Sequence, residues 1–470
     1  MRNEKVLRYP PTHASSIHED EFIVKIGFIH PRGSFVARNP HMLAFMEGYQ
    51  DIFRPWMIPS LGLLTVAGMT PDDVGMEYVD ENVGPVDLDT DYDIVALSGM
   101  TQQAPRAYEL SLEFQQRGVH TVMGGPHATV LPEETAQHVD TVIVGESEGA
   151  WEKFLSDFRQ GAPRGIYANV DLMRVPLQDS PRPRYDLLGD DFFSRGTGYK
   201  MISVQTTRGC PRKCDFCSVP QISGSDFRTK NVSQVIRDVE AATEAAPDVS
   251  LLFSDDNMFI NRRFSRVLMA QLKPMGIRYM AQSDIGIAYD RRLLREIRES
   301  GCVMCLVGLE SLSLNTLKTI DAFKARRRGG YEEGVRRIQE EGIAVLAAFI
   351  VGFDDDTKET FDRIADFVWR TRAFPQVTIA TPLPKTGLRD RLRAEGRLPD
   401  APYWEQCTYY DAIFESRGMS VDELERGIAE LHKRLFSEEA IRMRRAYAKD
   451  VRRRLRKQKA DMNTFATAIE

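Results

Sequence analysis

Short apolar runs recur in two series along this chain, and the stretches between them carry helical patterning. The first series is Phe22–Ile29, Met76–Val79, Ile94–Ser98, Thr121–Met123 and Thr141–Val144, with helical patterns such as Ala104–Arg117 between them. The second is Met201–Thr206, Ser250–Ser254, Tyr279–Gln282, Val303–Gly308, Val345–Val351 and Val377–Ala380, interleaved with Val232–Ala245, Arg291–Ser300 and Glu332–Glu341. A strand, a helix and a further strand in succession return the chain to the same end of a sheet, so the strands lie parallel. The alternation predicts an α/β protein with two parallel sheets, the second better suited to a barrel or an open part of one than to a sandwich. Pro176, Pro181 and Pro183 break regular structure between the series. The predicted organisation is a Rossmann-like domain over residues 1–160 with a polar lead-in at 1–20, a linker over 161–199, a partial (β/α)6 barrel over 200–395 and a mostly helical segment over 396–470.

In such folds ligands collect beyond the C-terminal ends of the strands. Gly99, Gly124, Gly125 and Gly145 follow strands in the first half, as turns with or without a ligand. In the second half a cysteine cluster follows the first strand. Cys210, Cys214 and Cys217 form C-x3-C-x2-C, Cys302 and Cys305 form a separate pair, and Cys407 stands alone. A secreted disulfide framework would spread its cysteines more evenly, and the N-terminal MRNEKVLRYPP has no apolar signal region. The longest apolar run, Gly342–Phe353, is too short to span a bilayer, and a net charge of −6 gives no reason to expect nucleic acid as a partner. A reduced, cytoplasmic, globular protein is expected.

Three thiolates can bind three irons of a [4Fe–4S] cubane and leave the fourth iron open to a chelating small molecule. Zinc usually takes four ligands, and no second pair of suitable spacing follows the triplet directly. Cys302 and Cys305 straddle a strand start, where alternation turns their side chains to opposite faces, so both are expected as ordinary buried thiols.

The triplet, with Phe216 before its last cysteine, resembles the motif of the radical S-adenosylmethionine superfamily. Ser254-Asp255-Asp256-Asn257 is similar to that family's second-strand motif, Gln282-Ser283-Asp284 closes the third strand, and Gly308-Leu309-Glu310-Ser311 closes the fourth. Phe349-Ile350-Val351-Gly352 resembles the fifth-strand glycine motif and Pro382-Leu383-Pro384-Lys385-Thr386 the sixth, with Lys385 where the family usually has glycine. The resemblance implies that Asp255 or Asp256 accepts from the methionyl ammonium, Glu310 from ribose hydroxyls, and that Gly352 lies near adenine. Each acidic residue alone can also be a solvated loop carboxylate or a helix cap.

Upstream, Pro59-Ser-Leu-Gly62, Asp80-Glu-Asn82, Ser98-Gly-Met-Thr101, Gly124-Gly-Pro-His-Ala-Thr129 and Gly145-Glu-Ser-Glu148 occur in the order found in the cobalamin-binding domain fused to many such enzymes. The likeness runs over about residues 22–440 and is nearest to hopanoid- and bacteriochlorophyll-modifying members. It implies cobalamin held by Ser98, Met100, Thr101, Gly124, Gly125, Thr129, Gly145 and Glu146. The D-x-H-x-x-G cobalt-ligand motif is missing; His127 sits in a candidate ligand loop, but its Pro-His-Ala turn can equally be structural. Cobalamin is therefore expected without a histidine below the metal, with Met100, Thr101 and Gln102 near its lower face.

The family likeness implies methylation of an unactivated carbon, or a radical cyclisation, rearrangement or oxidation; a cobalamin or metal sensor without turnover is the non-enzymatic alternative. The implied substrate is a small molecule of lipid, isoprenoid or tetrapyrrole type, and the implied electron donor a flavodoxin or ferredoxin. Arg326–Arg328 reads as a solvated loop or an anion-binding one. The run of ten Lys or Arg between Arg442 and Lys459 reads as a solvated helix, or as one touching a membrane surface or an acidic partner.

Overall fold

The computed structural model describes residues 24–49, 58–168, 175–189, 192–193, 199, 201–327 and 330–467. The lead-in, the first two residues of the first expected strand, Arg328 and Gly329 lie outside them. The first sheet contains β1 (Lys25–His30), β2 (Gly75–Asp80), β3 (Ile94–Ser98), β4 (His120–Gly124), β5 (Thr141–Val144) and β6 (Ile166–Ala168), in the order β2-β1-β3-β4-β5-β6 and parallel throughout. Its central strands are covered on both faces, so they read as unbroken apolar runs; every residue of β5 is buried. Strand order reverses between β1 and β3, the kind of switch point at which doubly wound sheets bind ligands. β6 extends this sheet into the expected linker. It has three residues and only Tyr167 is buried, too little alternation to read as a strand.

The second sheet follows β7 (Met201–Val204) and a two-stranded antiparallel hairpin, β8 (Thr207–Arg208) with β9 (Arg228–Thr229). It continues through β10 (Ser250–Phe253), β11 (Tyr279–Asp284), β12 (Cys302–Glu310), β13 (Ala344–Val351) and β14 (Phe374–Ile379). The order β7-β10-β11-β12-β13-β14 is parallel and sequential, a barrel left open between β7 and β14. β14 begins earlier than its apolar run suggests because it includes Pro375; an edge strand tolerates proline, since only one side needs ladder donors.

The C-terminal segment ties the halves together. Helix Val421–Leu435 packs on both Pro40–Glu47 of the first half and Lys358–Thr371 of the second. Ahead of it, the buried Asp411 carboxylate accepts the N–H groups of Ala37, Arg38 and Asn39, each at 2.7 Å. The basic run falls on helix Glu438–Thr467, which buries Arg444 and Val451 and exposes Arg445, Lys449 and Arg452–Arg454. Among the described residues no helix is long and apolar enough to cross a membrane.

Candidate active site between the two sheets

The loop between β8 and β9 carries the cysteine triplet. Gly209 opens it at φ +87°, where a Cβ would lie 2.2 Å from the Asp226 carbonyl oxygen, so the turn requires glycine. The Cys210 N–H donates to Gly224 O (3.2 Å), the Cys217 N–H to Cys214 O (3.1 Å) and the Asp215 N–H to Ile320 O (3.2 Å). All three thiols are free and half-buried. Burial pushes Cys217 up to about 11 and raises Cys210 and Cys214 as well, so a bound cation must displace their protons. Among the described residues no three His, Cys, Asp or Glu side chains gather as ligands of a single metal ion. Thiolates that each take a different iron of a cubane need no such convergence, and the donor set of three fits a cluster with one open iron.

Asp255 and Asp256 follow β10 and differ sharply. Asp255 is fully buried and accepts from the N–H of Thr206 (2.8 Å), the hydroxyls of Thr206 (3.0 Å) and Thr207 (2.9 Å), and the N–H of Thr207. Its acceptor positions are filled by the chain itself, so of the two candidates for a ligand's ammonium it is the one already engaged; it braces the segment entering the cysteine loop. Asp256 is only half-buried, and its charge acts on Cys210 and Cys217. Burial, and then the charge of Asp255, push its carboxyl up to about 6.

Glu310 ends β12 at φ +64° and pairs with Lys324, a buried lysine hidden in the basic AFKARRR stretch and missed from sequence. Lys324 lies 3.8 Å from Asp321, whose carboxylate is 3.1 Å from the Cys214 sulfur, so one chain of charges runs from the fourth strand to the cysteine loop. The Phe216 ring lies 6.3 Å from Phe353, just after β13. Gln282 is half-buried in β11, its carbonyl accepting the Met258 N–H at 3.0 Å. Gly352 has φ +96° and faces Leu424, which a Cβ would meet at 2.7 Å; packing of the C-terminal helix is a sufficient reason for this glycine.

Two cavities meet beside this loop. The first, about 300 Å³, lies over the ends of β3, β4 and β5 and is lined by Gly62, Ser98, Gly124, Gly125, Thr129 and Gly145, with Arg208 and Ser254 of the second half closing it. The Thr129 hydroxyl donates to Gly125 O (2.8 Å) and accepts the Gly145 N–H (3.1 Å), pinning two glycine turns together. The second, about 260 Å³, has Met100, Thr101 and Gln102 on one wall, Gln376, Thr378 and Tyr409 on another, and Ser218, next to Cys217, at its rim. Pro126 and Ile222 line both cavities, and among the described residues no charged side chain or histidine lines the second. The glycine turns of the first cavity leave backbone-lined room for part of a cobalamin, and the Met100–Gln102 turn separates its strand ends from the second.

Two expected cofactor contacts sit elsewhere or are engaged. His127 is fully buried, its Nε2 2.8 Å from the Tyr108 hydroxyl and 3.5 Å from Glu134, and it lines neither cavity. Glu146 borders the first cavity, but Arg228 (2.9 Å) and Arg208 (3.3 Å) hold its carboxylate, and Glu148 holds Arg208 at 2.8 Å. This buried network locks the end of β5 to the hairpin leading into the cysteine loop. Gln376 and Thr378, absent from the expected site, had a sequence signal: polar residues at alternate positions of a barrel strand share one face. Cys407, Tyr409 and Asp411 had none, because their segment has no periodicity.

Comparison with known proteins agrees with both halves. The B12 binding domain profile matches residues 57–155 and the Radical SAM superfamily profile residues 204–368. An uncharacterised methyltransferase of Synechocystis is 31% identical over 372 residues, 77% of this chain and 68% of that protein. The bacteriochlorophyllide d C-12(1)-methyltransferase of Chlorobaculum tepidum is 27% identical over 390 residues, 82% of this chain and 84% of that protein. The fold is that of the radical S-adenosylmethionine methyltransferase TsrM from Kitasatospora setae, solved with cobalamin and a [4Fe–4S] cluster bound, at a TM-score of 0.60 and 13% identity, covering 89% of this chain and 83% of that one. An N-terminal B12 domain followed by an open radical S-adenosylmethionine barrel, on one chain, makes this protein a cobalamin-dependent enzyme of the B12-binding radical S-adenosylmethionine family.

Proposed function

We propose that the enzyme methylates an unactivated carbon of an apolar small molecule, of isoprenoid, lipid or tetrapyrrole type. The observation that carries this reading is the second cavity: it has no charged lining, ends beside Cys217 and is walled on its other side by the Met100–Gln102 turn. In this family the cluster supplies reductive cleavage of S-adenosylmethionine to a 5′-deoxyadenosyl radical, and cobalamin supplies the methyl group. The chain's part is placement. Cys210, Cys214 and Cys217 hold the cluster; Asp256 accepts from the methionyl ammonium; Glu310, steadied by Lys324, faces the ribose. Gln376, Thr378 and the Tyr409 hydroxyl give an otherwise apolar substrate a few polar handles, while Phe35, Val130 and Leu383 exclude water from the reacting carbon. Similarity to a bacteriochlorophyllide methyltransferase favours methylation over cyclisation or oxidation.

The test is anaerobic incubation of reconstituted enzyme with candidate isoprenoids and tetrapyrroles and with S-adenosylmethionine deuterated in its methyl group. Methylation predicts a product carrying one trideuteromethyl group, together with 5′-deoxyadenosine. An unlabelled, rearranged or oxidised product would overturn it.

A further inference from the structure

The cysteine loop has two flanks. Its Ser218–Ser223 end borders the two cavities described above. Its Pro211–Lys213 end opens elsewhere, beside a third cavity of about 150 Å³ over the ends of β10 and β11. Among the described residues, three arginines line that cavity, Arg212, Arg262 and Arg327, against one carboxylate, Asp284. Asp284 is engaged by the Arg212 guanidinium (2.8 Å), the Asn257 amide (3.0 Å) and the Gly286 N–H (2.7 Å). Arg212 and Arg327 both lie on the Phe323 ring, their guanidinium carbons 3.4 and 4.2 Å from its centroid. Arg212 Nε and Arg262 Nη1 are buried without a hydrogen-bond acceptor. Desolvated guanidinium N–H groups with no acceptor are costly, so the cavity carries uncompensated positive charge. Around the cavity Lys213, Arg263 and Arg326 are exposed. A cationic rim thus surrounds the outward flank of the cysteine loop, on a chain whose net charge is −6.

We propose that this rim docks an acidic, low-potential one-electron carrier protein. The proposal rests on the radical reading of the site, since cleavage of S-adenosylmethionine consumes one electron from outside, given up by the carrier as it is oxidised. The opposite flank faces the first two cavities, while Pro211 and Lys213 are exposed, so the Pro211–Lys213 flank is open to a protein partner. Carboxylates on the carrier meet a patch of opposite sign, which steers encounter and fixes orientation.

The test uses the cluster-loaded full chain and a purified flavodoxin as the probe. Titration calorimetry should show binding that weakens steeply as salt is added. In an Arg263→Glu/Arg326→Glu variant the affinity should fall at least about tenfold, as expected when two rim charges are reversed. Formation of 5′-deoxyadenosine should fall with flavodoxin as reductant and not with dithionite, which needs no docking. Unchanged flavodoxin affinity in the variant, or binding indifferent to salt, would overturn the proposal. An equal loss with both reductants, or weakened S-adenosylmethionine binding in Arg327→Gln, would overturn it by returning the cavity to the active site. Failure of dithionite to yield 5′-deoxyadenosine in the unaltered protein would instead strike the radical reading, and the binding measurements would still decide the docking surface.

Discussion

The two parallel sheets of this protein present ligands by opposite means. At the ends of β3, β4 and β5 the first offers mostly shape: glycine turns, a serine, and a threonine that ties two turns together. At the ends of β10 to β13 the second offers side-chain chemistry: thiols on the adjoining loop, a carboxylate facing them, and a buried Glu310–Lys324 pair. A site built from thiolates and charges is damaged by changing one functional atom. A site built from backbone shape is damaged by filling space. The contrast yields substitutions of very different kind and size.

The largest expected effect is all or nothing. Cys210→Ala, Cys214→Ala or Cys217→Ala should each abolish a reconstituted content of about four irons and absorbance near roughly 400 nm. Cys302→Ala, Cys305→Ala and Cys407→Ala should keep both, because those three thiols are buried away from the loop or against the second cavity. Next, Asp255→Ala should cost about 3 kcal/mol in denaturant unfolding, since it leaves buried donors of Thr206 and Thr207 without their acceptor. Asp256→Asn should leave stability near normal and weaken S-adenosylmethionine binding; equal behaviour of the two variants would erase the distinction between brace and ligand.

A smaller effect belongs to Asp356, whose carboxylate accepts the Gly352 and Phe353 N–H groups at 3.0 Å each. Burial pushes it up to about 6. The folded chain then keeps a proton on Asp356 that the unfolded chain has lost, so this group's contribution to stability is fully present below about pH 4 and is lost as pH rises through 6, by on the order of 2 kcal/mol. Chemical denaturation across that range should show the slope flatten in Asp356→Asn. Smallest, and diagnostic of the shape-built site, is Gly62→Leu. A Cβ at Gly62 meets nothing nearer than 3.9 Å and enters the first cavity, so cobalamin affinity should drop about tenfold at unchanged iron content. Gly125 is a poorer probe. At φ +86°, with Ser98 Oγ 2.4 Å from its would-be Cβ, any substitution strains the turn before it reaches the ligand.

The same contrast explains what the sequence revealed. The cysteine triplet was legible because few residue types bind iron and their spacing is local. Most strands were legible because burial on both faces leaves continuous apolar runs. β6 was not, since one buried tyrosine makes no pattern. Lys324 was concealed by its arginine neighbours, and only burial beside Glu310 separates it from them. Asp255 was identified as a site residue on its type, yet the donors that occupy it come from Thr206 and Thr207, far away in sequence. Tyr409 and Asp411 belong to an irregular segment whose importance lies in what it bridges.

The central claim is that the first sheet holds cobalamin through shape, with no histidine below the metal. Electron paramagnetic resonance of the protein loaded with cobalamin in the cobalt(II) state tests it directly. The predicted spectrum has no nitrogen superhyperfine splitting and is unchanged in His127→Ala, because His127 is enclosed by Tyr108 and Glu134 and lines neither cavity. Nitrogen splitting in the unaltered protein that disappears in His127→Ala would contradict the claim.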